Sequence, residues 1–318
     1  MPEWLVERGI GETRAVIVEQ GEIVEARIQL EGTIPWGSVI AARLTSVGAN
    51  GRNAVARDEQ GIEYLLPRGA SGVTEGAALA IEVTREAIPG AEAWKRPLGR
   101  VTDEPLRPAP KLSETELSFP APQDELGRAG WNDLVDEARS GIVRFGGGEL
   151  RISPTPAMTL IDVDGSLPPD QLAVRGAAEA AKAIRRLQIG GSIGIDLPTS
   201  GSKAARHEAA NAIDEHLPQP FERTAVNGFG FVQVVRPRHR PSLVELAQDR
   251  AAFEARALLR RVAFEAAGSK RLIAHPALIA VLERRKEWID ALSRQLGGTI
   301  ELRANAAFPM SGGYAENL

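Results

Sequence analysis

Residues 158–166 read "MTLIDVDGS": an apolar run, two aspartates two positions apart, and a turn. The alternation from Thr159 to Val163 predicts a strand. If the strand continues through Asp164, Asp162 and Asp164 project from the same side of it. Taken locally, Asp-Gly after a strand is the ordinary signature of a turn, and an aspartate there often caps the next helix. The competing reading is a strand that delivers carboxylates to a metal.

The neighbouring sequence bears on that choice. An alanine-rich helix is predicted over residues 170–188, stopping at Gly190-Gly191. A second strand, SIGIDL, follows and carries Asp196, 34 residues after Asp162. Two strands joined through a helix are normally parallel and often adjacent. Their C-terminal ends then share the edge where open α/β sheets bind ligands. Three carboxylates at one edge repel unless protons or a cation compensate, and Mg²⁺ takes hard oxygen ligands of this kind.

The other motifs are weaker. A calcium loop is disfavoured because Leu167 stands where glycine is needed. Thr-Ser-Gly-Ser-Lys at 199–203 lacks phosphate-loop spacing, and it either caps the helix predicted over 203–217 or cups a phosphate there. The four histidines have no zinc-like spacing. Arg236-Pro-Arg-His-Arg240 is the densest basic cluster outside helices, either a solvated turn or a phosphate contact. A long helix is expected from Ser242 to about Ala267, with Arg250, Arg256, Arg260 and Arg261 on a solvated face and Phe253, Leu258, Leu259 and Phe264 in the core.

N-terminal to this region, residues 13–19 and 22–30 alternate around Gln20-Gly21, which is a hairpin signal. Residues 37–88 hold further short strands and suggest a small β-barrel, for which an OB-type barrel is a common RNA-binding choice. Its aromatic platform is thin, with only Trp36 and Tyr64. Seven prolines between 89 and 123 mark a linker or extended connection. A helix is expected around 124–139, then a strand, a glycine turn at 146–148 and another strand. FERTAV and FGFVQVVR read as strands, and residues beyond 267 as a small α/β unit.

Composition frames the functions available. Hydrophobic residues make up 43% and charged residues 25%, as in an ordinary globular protein. Cysteine is absent, which excludes disulfides and thiolate metal sites and fits a reducing compartment. No run approaches a membrane span and no signal core opens the chain, so a cytoplasmic location is expected. The net charge of −4 argues against gripping nucleic acid by bulk charge. Residues 1–150 carry 16 Lys and Arg against 24 Asp and Glu, while residues 151–318 carry 22 against 18. That asymmetry is either chance or the mark of an anionic partner on the second half.

Taken together, these pieces resemble the ribonuclease E/G family of bacterial endoribonucleases. The likeness is best over residues 142–243. "IVRFGGGELRISPTPAMTLIDVDGS" is similar to the family's lead-in to its first metal aspartate, and "AAEAAKAIRRLQIGGSIGIDL" to its second metal strand. Arg206-His207 matches an Arg-His pair, and Arg236, Arg238, Pro241, Ser242 and Leu243 fall in register with a basic stretch of the family.

The resemblance implies an α+β, multi-subdomain chain. N-terminal strands at 1–34, pairing with 118–153 as an RNase H-like scaffold, precede an OB-type RNA-binding domain at 35–88 and a linker at 89–123. A nuclease-like α/β catalytic core at 124–243 and a small C-terminal domain at 244–318 complete it. It implies Asp162 and Asp196 as ligands of Mg²⁺, with Mn²⁺ as a substitute, and Asp164 as a third catalytic residue where the family has asparagine. Lys203, Arg206, Arg236, Arg238 and Arg240 become contacts to RNA phosphates. The implied reaction is endonucleolytic cleavage of single-stranded RNA, leaving 5′-phosphate products. The family's zinc-linking cysteines and its Arg-Thr sensor of 5′-monophosphate have no counterpart here, so no zinc is expected and any homodimer is not zinc-linked. Two alternatives remain: a non-catalytic RNA-binding protein on the same scaffold, and an α/β enzyme acting on a small phosphorylated metabolite.

Overall fold

The structure, a computed structural model, describes residues 3–89, 95–111 and 113–318. Its first strands, β1 (Trp4–Arg8), β2 (Glu12–Glu19) and β3 (Glu22–Leu30), form an antiparallel meander. Gln20 and Gly21 both adopt positive φ, the geometry of a tight hairpin turn. The next strands are β4 (Val39–Ser46), β5 (Ala54–Arg57), β6 (Glu63–Leu66), β7 (Ala78–Arg85) and β8 (Leu98–Val101). They close a five-stranded barrel in the order β4-β5-β6-β8-β7, with β6 parallel to β8. Its core holds Leu44, Tyr64, Leu66, Ile81 and Val83.

The barrel corrects the expected linker at 89–123. That stretch supplies barrel strand β8, and β9 (Glu114–Leu117) returns to pair in parallel with β1. Proline density misled because the prolines flank the strands rather than occupy them. Residues 90–94 and 112 of the stretch lie outside the described residues. The N-terminal sheet therefore ladders with 114–117 through β1, and its backbone hydrogen bond to 118–153 runs from Ile23 N to the carbonyl of Ala129 (3.2 Å).

The helix expected around 124–139 is broken into α1 (Glu125–Arg128) and α2 (Trp131–Ser140) by Gly130 at φ 100°. A six-stranded sheet follows, ordered β10-β11-β12-β13-β15-β14. It comprises β10 (Ile142–Phe145), β11 (Gly148–Pro154), β12 (Thr159–Gly165), β13 (Gly191–Asp196), the two-residue β14 (Glu222–Arg223) and β15 (Phe231–Arg236). FERTAV thus contributes only two strand residues. Between β12 and β13 runs α3 (Pro169–Arg186), and α4 (Lys203–His216) follows β13.

Helix α3 buries a face of Leu172, Ala173, Gly176, Ala177, Ala180, Ala181 and Ile184. Small side chains let it sit close to β11 and β12, against β3 and beside α4. The resulting main core joins the N-terminal meander, α1–α4 and the six-stranded sheet.

The long helix expected from Ser242 is two helices, α5 (Leu243–Leu246) and α6 (Arg250–Ala263). Ser242 and Glu245 form a capping box for α5, and Asp249 caps α6 afresh. The solvated arginine face is corrected too. Arg250 and Arg261 are exposed, but Arg256 and Arg260 are buried. They belong to an ion-pair chain with the N-terminal meander. Arg14 pairs with Glu7 (2.6 Å) and Glu12 (2.8 Å), Arg256 with Glu12 (2.8 Å), and Arg260 with Glu7 (2.9 Å) and Asp124 (2.6 Å).

The C-terminal unit packs α6, α7 (Pro276–Arg284) and α8 (Lys286–Leu296) on a three-stranded sheet. The sheet order is β17-β16-β18, formed by β16 (Lys270–Ala274), β17 (Ile300–Ala304) and β18 (Tyr314–Asn317). Trp288 ties it to the meander through a hydrogen bond to Glu31 (2.9 Å). Among the described residues no helix is long and apolar enough to cross a membrane.

Candidate functional site

Strands β12 and β13 are parallel neighbours, and their register sets Asp162 directly opposite Asp196. Helix α3 covers one face of β12, burying Ile161 and Val163. The alternate residues Leu160, Asp162 and Asp164 are exposed on the other face, and Asp196 is exposed at the end of β13. The strand continues through Asp164, so both aspartates of the quoted stretch point the same way.

Antiparallel pairing with β11 sets Arg151 opposite Asp162 and Glu149 opposite Asp164. Two like-charge pairs thus lie across adjacent strands, an arrangement that destabilises a sheet. Partial burial, then the charges of Asp164 and Asp196, push the Asp162 carboxyl above its ordinary value against the pull of Arg151. Arg151 is itself bonded to Glu149 (2.5 Å).

Hydrogen bonds hold the edge beyond Asp196. Ser202 caps α4 by accepting from Ala205 N (3.1 Å), and Arg206 donates to the carbonyl of Ser200 (2.6 Å). Lys203 is the first residue of α4, so Lys203 and Arg206 lie on the carboxylate edge. An Asx turn faces them: Asn227 Oδ1 accepts from Phe229 N (2.9 Å) and Phe231 N (3.1 Å). Gly230, at φ 92°, lets that turn close on β13, because a Cβ there would stand 2.2 Å from the carbonyl oxygen of Leu197. Thr199 Oγ1 donates to the carbonyl of Phe229 (3.2 Å).

The turn leaves Phe229 81% exposed, next to Thr199 just beyond the end of β13. Phe229 lies within FGFVQVVR, which the sequence alone reads as a strand and which gives it no role. Its signal was the flanking Gly228 and Gly230, which mark a loop tip rather than a strand interior.

A scan against protein-family models finds no match to the chain, and a search of curated proteins finds none either.

The five basic residues expected to contact RNA phosphates are divided in the structure, with Lys203 and Arg206 at the carboxylate edge and the other three elsewhere. Gly191, at the start of β13, pairs with Arg236, whereas Asp196 at its end pairs with Phe231. Arg236, Arg238 and Arg240 therefore gather at the opposite edge, about 16 Å along the strand. The two aromatics of the barrel region both have partners. Tyr64 is buried and bonded to Asp58 (3.3 Å), and Trp36 is stacked on His239 with centroids 4.3 Å apart. Among the described residues no three His, Cys, Asp or Glu side chains converge into a group able to hold a metal alone. Two carboxylates on one open face still match Mg²⁺, which commonly takes one or two carboxylates and completes its shell with water and substrate phosphate.

Proposed function

We propose that the chain is a Mg²⁺-dependent endoribonuclease that cleaves single-stranded RNA to 5′-phosphate products. The observation that carries this reading is the register pairing of Asp162 with Asp196 on an open sheet face. Asp162 and Asp196 would hold the ion, and Asp164 would add charge beside it. When bound, Mg²⁺ supplies Lewis acidity toward a phosphodiester. Lys203 and Arg206 place cations on the same edge, where they attract and orient the RNA backbone. Phe229 offers a stacking face for an unpaired base next to the cleaved linkage, which favours single-stranded over duplex RNA.

The barrel's order and closure support an OB-type RNA-binding element. The resemblance of residues 142–243 to the ribonuclease E/G family points the same way. One observation favours a second reading, a non-catalytic RNA-binding protein: among the described residues no group of three His, Cys, Asp or Glu side chains is placed to hold a metal ion.

Purified wild type, Asp162→Asn and Asp196→Asn, incubated with labelled single-stranded RNA with and without Mg²⁺, separate the two. Cleavage by wild type in Mg²⁺ is expected to fall by about 10²-fold or more in each variant. RNA binding without metal-dependent cleavage in all three proteins selects the second reading. Cleavage that persists in excess EDTA or in Asp196→Asn overturns the first.

A further inference from the structure

Against the barrel lies a groove of about 740 Å³, bounded by the start of β4, the turn after β5 and the strap at 105–109 that follows β8. Its walls are mostly apolar, with Ile34 and Ile40 from the β4 side and Leu106 and Pro108 from the strap. Ile34 and Ile40 rest on the barrel core, whereas Leu106 stands 61% exposed. A leucine held that far into solvent beside other apolar side chains makes a patch of the kind that marks binding surfaces.

The backbone of β4 is open inside this groove. In its ladder with β7, Val83 N donates to the carbonyl of Ser38 (2.8 Å) and Leu44 N to the carbonyl of Ala77 (3.0 Å). Bonded pairs alternate along an antiparallel ladder, so Ser38, Ile40, Ala42 and Leu44 turn toward β7, and Val39, Ala41 and Arg43 turn away from it. On that other side Val39 and Arg107 exchange both backbone bonds (2.9 and 3.1 Å), and β5 joins at Arg43. Ala41 lies exposed between them, and among the described residues no strand pairs with it there. The sequence supplies the cause. Continuing the Val39–Arg107 register sets Pro105 opposite Ala41, and proline has no N–H to give. On the β5 side the chain turns off at Asp58, whose carboxylate accepts from Gln60 N (3.0 Å) and Ile62 N (2.8 Å). The N–H and C=O of Ala41 therefore face the groove that Ala41 helps to line.

The charge at the groove is negative. Asp58 and Glu59 line it, and among the described residues Glu59 is exposed with no ion pair or hydrogen bond of its side chain. The one basic lining residue, Arg107, is already bonded to Glu104 (2.7 Å) and to the carbonyl of Gly37. A nucleic-acid backbone would meet carboxylates here and no uncommitted cation. We propose that the groove takes an extended peptide segment of a partner protein, apolar along its middle and carrying lysine or arginine at one end. One residue of the segment exchanges N–H and C=O bonds with Ala41, apolar side chains settle against Ile40 and Leu106, and the cation lies at Glu59. Main-chain bonds of this kind supply affinity, and the side-chain walls supply selectivity. The charge pairing orients the segment more than it holds it, because an exposed ion pair contributes little. The groove shares no residue with the carboxylate edge and does not depend on the reading proposed for it.

An array of random octapeptides, probed with the full chain in EDTA, tests this. The peptides retained are expected to be apolar with a lysine or arginine near one end, and the best of them, labelled, to bind saturably by fluorescence anisotropy. Leu106→Asp, at an exposed position, is expected to weaken that peptide by about 10-fold or more, and Glu59→Lys by about 5-fold. Ala41→Pro removes an N–H that the β7 ladder does not use, and is expected to lose about 10-fold or more. Circular-dichroism melts confirm that each variant is folded; if Ala41→Pro is not, Leu106→Asp and Glu59→Lys carry the test. Asp196→Asn is expected to bind the peptide as wild type does, which separates the groove from the carboxylate edge. Single-stranded RNA is expected not to displace the peptide. Four results overturn the proposal: no peptide retained by wild type in preference to Leu106→Asp, retained peptides that are acidic or lack apolar residues, full affinity in folded Leu106→Asp, or displacement by RNA, which would make the groove a nucleic-acid site.

Discussion

Asp162 faces Asp196 across one strand boundary and shares its own strand face with Asp164, so its ionised form is held among like charges. A carboxyl raised above its ordinary value costs stability wherever it is ionised, and that cost fades as pH falls through its folded value. Asp164→Asn removes one of those charges. In EDTA it is expected to melt higher than wild type at pH 7, with the difference shrinking toward about pH 4, where carboxyls protonate. Paired thermal melts at the two pH values check this; an equal or lower melting temperature at pH 7 rejects it. The exposed Phe229 makes a separate prediction. Stacking of a base on an aromatic ring is worth about 1–3 kcal/mol, so Phe229→Ala should raise KM for RNA by about 5-fold to 100-fold with its fold unchanged. Steady-state cleavage of a short RNA measures it, and an unchanged KM excludes a stacking role.

Strands β1 and β2 and helix α6 are held together by charge as much as by apolar contact. Glu7, itself buried, receives both Arg14 and Arg260. Replacing it leaves two buried guanidiniums facing each other without their shared carboxylate. Glu7→Ala is expected to cost about 3–5 kcal/mol, readable as a lower midpoint in urea unfolding. A loss below about 1 kcal/mol would show that water reaches the cluster. This element pair also shows why part of the fold was not legible in the sequence. The spacing of Phe253, Leu258 and Leu259 identified a helix and its buried side correctly. Nothing local distinguished Arg256 and Arg260 from Arg250 and Arg261, because their carboxylates stand about 250 residues earlier. The helix breaks were hidden by the apolar spacing around them: Gly130 acts through its positive φ, and Asp249 through its side-chain cap on Ala252 N.

Across the whole molecule, the charge is divided between two edges of one sheet. The carboxylates share their edge with Lys203 and Arg206, while three arginines expected to contact RNA lie at the other. RNA binding at the carboxylate edge should therefore depend only moderately on salt. Each phosphate contact to a single strand contributes about 0.7 to the slope of log K against log salt, so Lys203→Ala should flatten that slope by about 0.7. Fluorescence anisotropy over a salt series measures it, and an unaltered slope removes Lys203 from the interface. The sequence by itself determined the β-α-β unit, the strand that carries Asp162 and Asp164, and the hairpin at Gln20-Gly21. Periodicity, a glycine stop and turn residues are local signals, and local hydrogen bonding obeys them. Only the tertiary structure decided the rest. Register set Asp162 against Asp196, barrel closure drew β8 out of a proline-rich stretch, and burial enclosed Arg256 and Arg260. Packing likewise moved Arg236, Arg238 and Arg240 to the opposite edge of the sheet. Each of these depends on partners distant in the chain, whose positions follow from packing and not from the residues on either side.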